Sequence, residues 1–162
     1  MSPKRAAETP SASGQHPKHR QPNNRHASAV AFGPHRGLLI LGASGRGKSS
    51  LALALITRGA QLLADDQVML TPLDGALYAR PPRAIAGLIE ARGFGLLRLP
   101  HLRLARIALV VDLDRPAPPR LPAPATITIL GVTLTCLSGT AQPAYAEALA
   151  HHITHFTGAE SR

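Results

Sequence analysis

Gly42-Ala43-Ser44-Gly45-Arg46-Gly47-Lys48-Ser49 follows the apolar run Leu38-Leu39-Ile40-Leu41 and opens a run of helix formers, Ser49 to Arg58. A β-type run, a glycine-rich turn matching GxxxxGK[ST] and a helix, in that order, form a phosphate-binding loop. Each residue type has a physical reason. The glycines let successive backbone N–H groups converge on phosphate oxygens without Cβ clashes. The helix that follows points its positive dipole end at the same anion. Lys48 supplies an ammonium group to the β and γ phosphates, and the Ser49 hydroxyl is suited to ligate Mg²⁺. Lys48 is also the only lysine after Lys18 in a chain whose cations are otherwise arginines. The loop therefore predicts ATP and Mg²⁺ as cofactors, held by Gly42 through Ser49.

Outward from the loop, the helix stops at Gly59, and Leu62-Leu63-Ala64 reads as a short buried strand ending at Asp65-Asp66. A right-handed crossover makes that strand parallel to Leu38–Leu41 and brings both carboxylates to the phosphates. Adjacent carboxylates point to different sides. One can help hold the metal shell, while the other faces an acceptor hydroxyl as general base. Val68–Leu70 and Leu77–Ala79 flank Asp74-Gly75, a hairpin signal. Glu90 precedes Arg92-Gly93 and Gly95, and spacing alone does not decide between a surface residue and a loop that closes on a charged ligand. Arg106–Leu113 reads as a central strand. Thr126–Leu130 and Val132–Leu137 are two β-rich runs split by Gly131, and Ala144 to about Phe156 is a final helix. The sum is α/β with a mixed sheet.

Ahead of the first strand, expected from His26 to Phe32, residues 1–25 hold almost no large apolar side chain. They are expected to be a disordered basic tail, followed by one domain over 26–158. The net charge of +9 suggests an anionic partner. Nucleic acid is disfavoured, because RNP aromatics, zinc ligands and a basic helix are missing. No apolar run approaches the ~20 residues that span a bilayer, and no apolar segment follows the N-terminal charges as in a secretory signal. A lone cysteine, Cys136, leaves no intramolecular disulfide and fits the cytoplasm. His151, His152 and His155 share a helical spacing, with Glu147 as the nearest acid. They read as a solvated face rather than a metal site.

Four blocks, in matching order and spacing, carry a family likeness: His26-Ala27-Ser28, Gly42 to Leu53, Arg58 to Val68, and Gly87 to Leu97. They resemble the catalytic domain of HPr kinase/phosphorylase, in a short form without the N-terminal regulatory domain. The resemblance implies a P-loop fold of the phosphoenolpyruvate-carboxykinase-like type. It implies ATP-dependent phosphorylation of a serine on HPr, the phosphocarrier of the sugar phosphotransferase system, and assembly as a hexamer. By the same resemblance Ser49 and Glu90 ligate Mg²⁺ and Asp66 is the base, with Asp65 beside it in the catalytic set. Asp66 becomes the acid in the reverse, phosphorylase direction, and His26 tunes it.

Three departures stand out. Ser50 replaces a usually acidic residue, Arg46 adds charge inside the loop, and residues 121–150 contain no Arg or Lys to match the family's dephosphorylation loop. The same features suit a rival reading, a nucleotide-binding regulator without turnover. A small-metabolite kinase is the other rival. It calls for an Arg-rich lid, and Arg80, Arg83, Arg98, Arg103 and Arg106 are scattered.

Overall fold

In the computed structural model, which describes residues 23–117, 120 and 125–156, the apolar run before the loop is strand β3 (Gly37–Leu41), buried at every position. Neighbouring strands cover its edges, helices cover one face and the outer strands the other. β2 (Ser28–Ala31) pairs with it antiparallel, and β9 (Ala105–Asp112) runs beside it in parallel. Beyond β2 lies β4 (Gln61–Ala64), antiparallel to β2. Both β3 and β4 therefore run the same way, as the crossover through helix α1 (Lys48–Ile56) requires.

On its other edge β9 is shared. Near its start it pairs antiparallel with β6 (Ala76–Arg80), and its last residues pair in parallel with β11 (Val132–Ser138). β5 (Gln67–Leu73) joins β6 through the Asp74-Gly75 turn, β1 (Asn23–His26) adds to β5, and β10 (Thr126–Ile129) adds to β11. Among the described residues the sheet has nine strands. A separate hairpin, β7 (Leu88–Ala91) with β8 (Gly95–Arg98), stands apart from it. Helix α2 (Pro143–Thr154) ends the described fold.

The period-two alternation of a strand divides the core into two layers. Leu38, Ile40, Leu109 and Val111 pack with Leu51 and Leu55 of α1 and Leu149 and Ile153 of α2. Leu39, Ile107 and Val110 pack instead with Leu70, Leu77 and Cys136, so the outer strands fold over the face that carries no helix. At about 25 cal/mol per Å² of apolar surface removed from water, such side chains are each worth roughly 1.5–3 kcal/mol.

The element boundaries lie close to those expected, with two corrections. Asn23, Asn24 and Arg25, assigned by composition to the tail, form β1, and the Asn24 amide donates to Gln67 Oε1 at 2.9 Å. A polar edge strand is stabilised by its ladder and carries no apolar pattern to announce it. The single strand expected from His26 to Phe32 is broken at Ala27, whose N–H donates to the Asp66 carbonyl at 3.2 Å. Residues 1–22 of the expected tail, the last two of the expected domain, and 118–119 and 121–124 of the Pro-rich connector lie outside the described residues.

Candidate functional site

The loop between β3 and α1 is held open by its own backbone. Gly47 caps α1 at φ 95°, and a Cβ there would stand 2.6 Å from Ala141 Cβ, so glycine is required twice over. The helix has no side-chain cap and no acid in its first turn. Its first N–H groups and positive dipole end are left for an external anion. Ser50, in that first turn, brings no negative charge of its own. Lys48 is buried with its ammonium group folded onto the loop, donating to Gly42 O at 2.7 Å and Ala43 O at 3.1 Å.

Across the cleft, β4 ends at a tight turn that gives the two aspartates opposite environments. Gln67 N–H donates to the Asp65 carbonyl at 2.8 Å, and Asp66 adopts φ 67°, a left-handed conformation that Asp tolerates better than most residues. Asp65 turns inward and is buried. Its carboxylate accepts from Ser28 Oγ at 2.6 Å, from Ser49 Oγ at 2.8 and 3.0 Å, and from the Glu90 N–H at 3.1 Å. Asp66 turns outward, its side chain 66% exposed, and meets His26 Nδ1 at 3.2 Å. The other nitrogen of His26 lies 3.3 Å from Ser44 Oγ of the loop.

These groups line one cleft of about 230 Å³, bounded by His26, Ser28, the loop from Ser44 to Ser50 (Arg46 excepted), Asp65, Asp66, Glu90 and Arg92. The structure thus brings together His26, Ser44, Gly45, Gly47, Lys48, Ser49, Asp65, Asp66 and Glu90 from the expected set. Gly42 and Ala43 lie behind the loop, where they supply the carbonyls for Lys48. Arg46 points away from the acids. Its Nε meets Asp114 Oδ1 at 2.9 Å, while Asp114 Oδ2 accepts the Ala43 N–H at 2.9 Å. The C-terminal histidines do not converge. His155 Nδ1 lies 2.9 Å from the His151 carbonyl, and His152 packs on Phe156.

Ser28, Arg92 and Asp114 have no site role predictable from spacing. Ser28 and Asp65 are 37 residues apart, and nothing local links them. Ser28 is fully buried, and its hydroxyl serves the buried carboxylate. Ser28→Ala is expected to lower stability by about 1.5–3 kcal/mol, the worth of a hydrogen bond to a charged group. Urea unfolding checks this, and an unchanged midpoint would show that Asp65 does not depend on that donor.

Among the described residues no cluster of three His, Cys, Asp or Glu could hold a metal by itself. That fits Mg²⁺, which binds through one or two carboxylates and substrate phosphates instead of a protein cage. The donors at hand, Ser49 Oγ and the Glu90 carboxylate, are both oxygens, and both residues are hydrogen-bonded to Asp65.

A family profile described as the HPr Serine kinase C-terminal domain matches residues 23–114. The chain belongs to that family. Its match begins at the first residue of β1 and closes at Asp114, the partner of Arg46. Among curated members, the HPr kinase/phosphorylase of Clostridium novyi is 47% identical over 66 residues, 41% of this chain and 22% of its own length. That of Clostridium kluyveri is 41% identical over 86 residues, 49% of this chain and 28% of its own length. The matched region thus spans about a quarter of these HPr kinase relatives. The solved structure of the Hpr(Ser) kinase/phosphatase from Coxiella burnetii superposes with a TM-score of 0.70 at 26% identity, covering 82% of this chain and 94% of that one. The P-loop kinase fold expected from the sequence is the fold of that structure.

Proposed function

We propose that the chain is an ATP- and Mg²⁺-dependent kinase that phosphorylates a serine of HPr or of an HPr-like carrier of the phosphotransferase system. One observation carries the reading: two neighbouring carboxylates with opposite environments face a phosphate loop. Asp65 is buried and fully engaged, so it organises. Asp66 is exposed and bonded only to His26, so it can take a proton. The printed names of the relatives supply the acceptor class.

In this mechanism Lys48 exchanges the Gly42 and Ala43 carbonyls for the β and γ phosphate oxygens. The open N–H groups of α1 hold the same phosphates. Asp65 orients Ser49 Oγ and the backbone of Glu90 in β7, keeping Ser49 and Glu90 in place as the Mg²⁺ ligands. Bound there, Mg²⁺ would neutralise negative charge on the phosphates during transfer. Asp66 accepts the proton of the serine hydroxyl as that oxygen attacks the γ phosphorus. The bond from that phosphorus to the β–γ bridging oxygen breaks, and ADP leaves with its electrons. His26 fixes the direction of the Asp66 carboxylate. Arg92, which also lines the cleft, adds positive charge to it. The forward direction uses only groups that the cleft contains.

The cytoplasm, where carrier and nucleotide meet, is the proposed compartment. No described helix is long and apolar enough to cross a membrane. Assembly as a homo-oligomer belongs to the same reading and is supported by Phe94 and Leu96, 88% and 70% exposed on the β7–β8 hairpin. The deciding experiment incubates the full chain with Mg-ATP and HPr and reads the intact mass of the carrier. The expected result is a gain of one phosphate, absent when the acceptor serine is replaced by alanine. No gain at any ATP concentration, from protein shown to be folded, would overturn the assignment.

A further inference from the structure

Arg46 is the one charged residue of the phosphate loop that the cleft does not use. Its partner Asp114 brings a carboxylate up to a loop built for anions. Charge alone makes that carboxylate unfavourable, so its value there is geometric. The loop falls into two halves by what holds them. Gly47, Lys48 and Ser49 belong to the start of α1, and Ser49 is bonded to Asp65. Residues 42–46 have no such frame. Within them the Arg46 N–H donates to the Ala43 carbonyl at 3.2 Å, and the Lys48 ammonium group holds the Gly42 and Ala43 carbonyls from outside. When Lys48 turns to the phosphates, those two bonds are lost just as the loop amides have to be fixed.

We propose that Asp114 is a positioning residue for the phosphate loop, with Arg46 as the group that fixes its carboxylate. The inference rests on the nucleotide reading above and says how the loop keeps its shape once Lys48 has left it. Asp114 Oδ2 accepts the Ala43 N–H and Oδ1 meets Arg46 Nε, both at 2.9 Å, so one carboxylate holds both ends of the turn 43–46. That carboxylate is mounted on the sheet. The Leu113 N–H donates to the Leu41 carbonyl at 2.9 Å, which continues the pairing of β9 with β3. The Asp114 N–H donates to Asp112 Oδ1 at 2.9 Å and fixes the backbone one step further on. A Cβ on Gly42 would stand 3.1 Å from Leu113 Cβ, so the chain leaving β9 lies directly against the loop. The pair does little for folding. Its side chains are 58% and 45% exposed, and an ion pair so open to water adds little stability. What it holds is a loop whose order would otherwise have to be supplied by the ligand.

The test is titration calorimetry of the full chain with Mg-ATP, with thermal midpoints taken in parallel. Deleting a negative charge beside a phosphate site strengthens binding if charge decides. If position decides, Asp114→Ala is expected to weaken Mg-ATP by about tenfold, a difference of one decade in Kd. Arg46→Ala should weaken it by about threefold, and R46A/D114A should bind no more weakly than Asp114→Ala, because Arg46 acts through that carboxylate. Asp114→Asn keeps an acceptor for the Ala43 N–H and should recover affinity to within about threefold of the unsubstituted chain. Midpoints of all four variants should agree within a few degrees. Mg-ATP bound by Asp114→Ala as tightly as before, or more tightly, would overturn the proposal. A double variant in which the two losses multiply overturns it too, because Arg46 would then reach the phosphates by itself. So does a midpoint that falls in step with affinity, which would make the pair a structural one. A folded unsubstituted chain that binds no Mg-ATP is a different result, because it removes the nucleotide reading itself and this proposal with it.

Discussion

Asp66→Asn is expected to keep Mg-ATP binding and to lose phosphate transfer by about 10²–10⁴-fold, the usual contribution of a positioned general base. The substitution isolates the chemistry from the architecture. Asn has nearly the shape of Asp and is among the residues that accept a left-handed conformation, so the φ of 67° at this position is retained. The backbone carbonyl still receives the Ala27 N–H, and the β4–β5 turn should survive. What changes is one atom: an amide nitrogen replaces a carboxylate oxygen, and the side chain can no longer take the serine proton. Ala at this site would mix loss of the base with backbone strain and is the poorer probe. The measurement is single-turnover transfer to the carrier, with ATP affinity taken in parallel. Transfer at the unsubstituted rate would sink the base assignment and direct attention to His26 or Asp65.

Lys48→Ala is expected to act one step earlier and remove nucleotide binding. The ammonium group is buried against its own loop, where it donates to two carbonyls of neutral peptide groups. Exchanging these for phosphate oxygens converts neutral acceptors to charged ones, and each charge-assisted bond is worth about 1.5–3 kcal/mol. Two such bonds lost correspond to a fall in affinity of at least about 10². Calorimetry with Mg-ADP and Mg-ATP checks this, and ATP should suffer more because it carries the γ phosphate. Affinity within about threefold of the unsubstituted chain would show that the loop amides alone hold the nucleotide.

Much of this fold was legible because its decisive signals are local. The loop sits in consecutive residues, Gly59 ends its helix within the same stretch, and Asp74-Gly75 marks its hairpin without reference to anything distant. The aspartate pair was placed by one topological rule, the handedness of a crossover. Features that escaped are held by contacts distant in sequence. β1 owes its existence to pairing with β5, and its residues Asn23-Asn24-Arg25-His26 have no apolar face. Likewise, the bond between Ser28 and Asp65 crosses two strands, and Asp114 reaches back to a loop 68 residues earlier to meet Arg46. Sequence reading gave Arg46 to the nucleotide because of where it lies in the motif. The fold turns its side chain toward Asp114, a carboxylate that periodicity reads only as the end of a strand.

The position of β2 between β3 and β4 has a consequence for how relatives of this chain can differ. Neighbouring strands are about 4.8 Å apart, so one intervening strand sets the axes of β3 and β4 roughly 10 Å from each other, and side chains such as Ser49 and Asp65 close that gap. That gap is a ruler made of main-chain hydrogen bonds, and no side-chain substitution can lengthen it. The spacing of the strand that carries the loop from the strand that carries the aspartates is therefore inherited with the sheet. On the kinase reading proposed above, choice among carriers would fall to side chains on the rim of the cleft, such as Arg92.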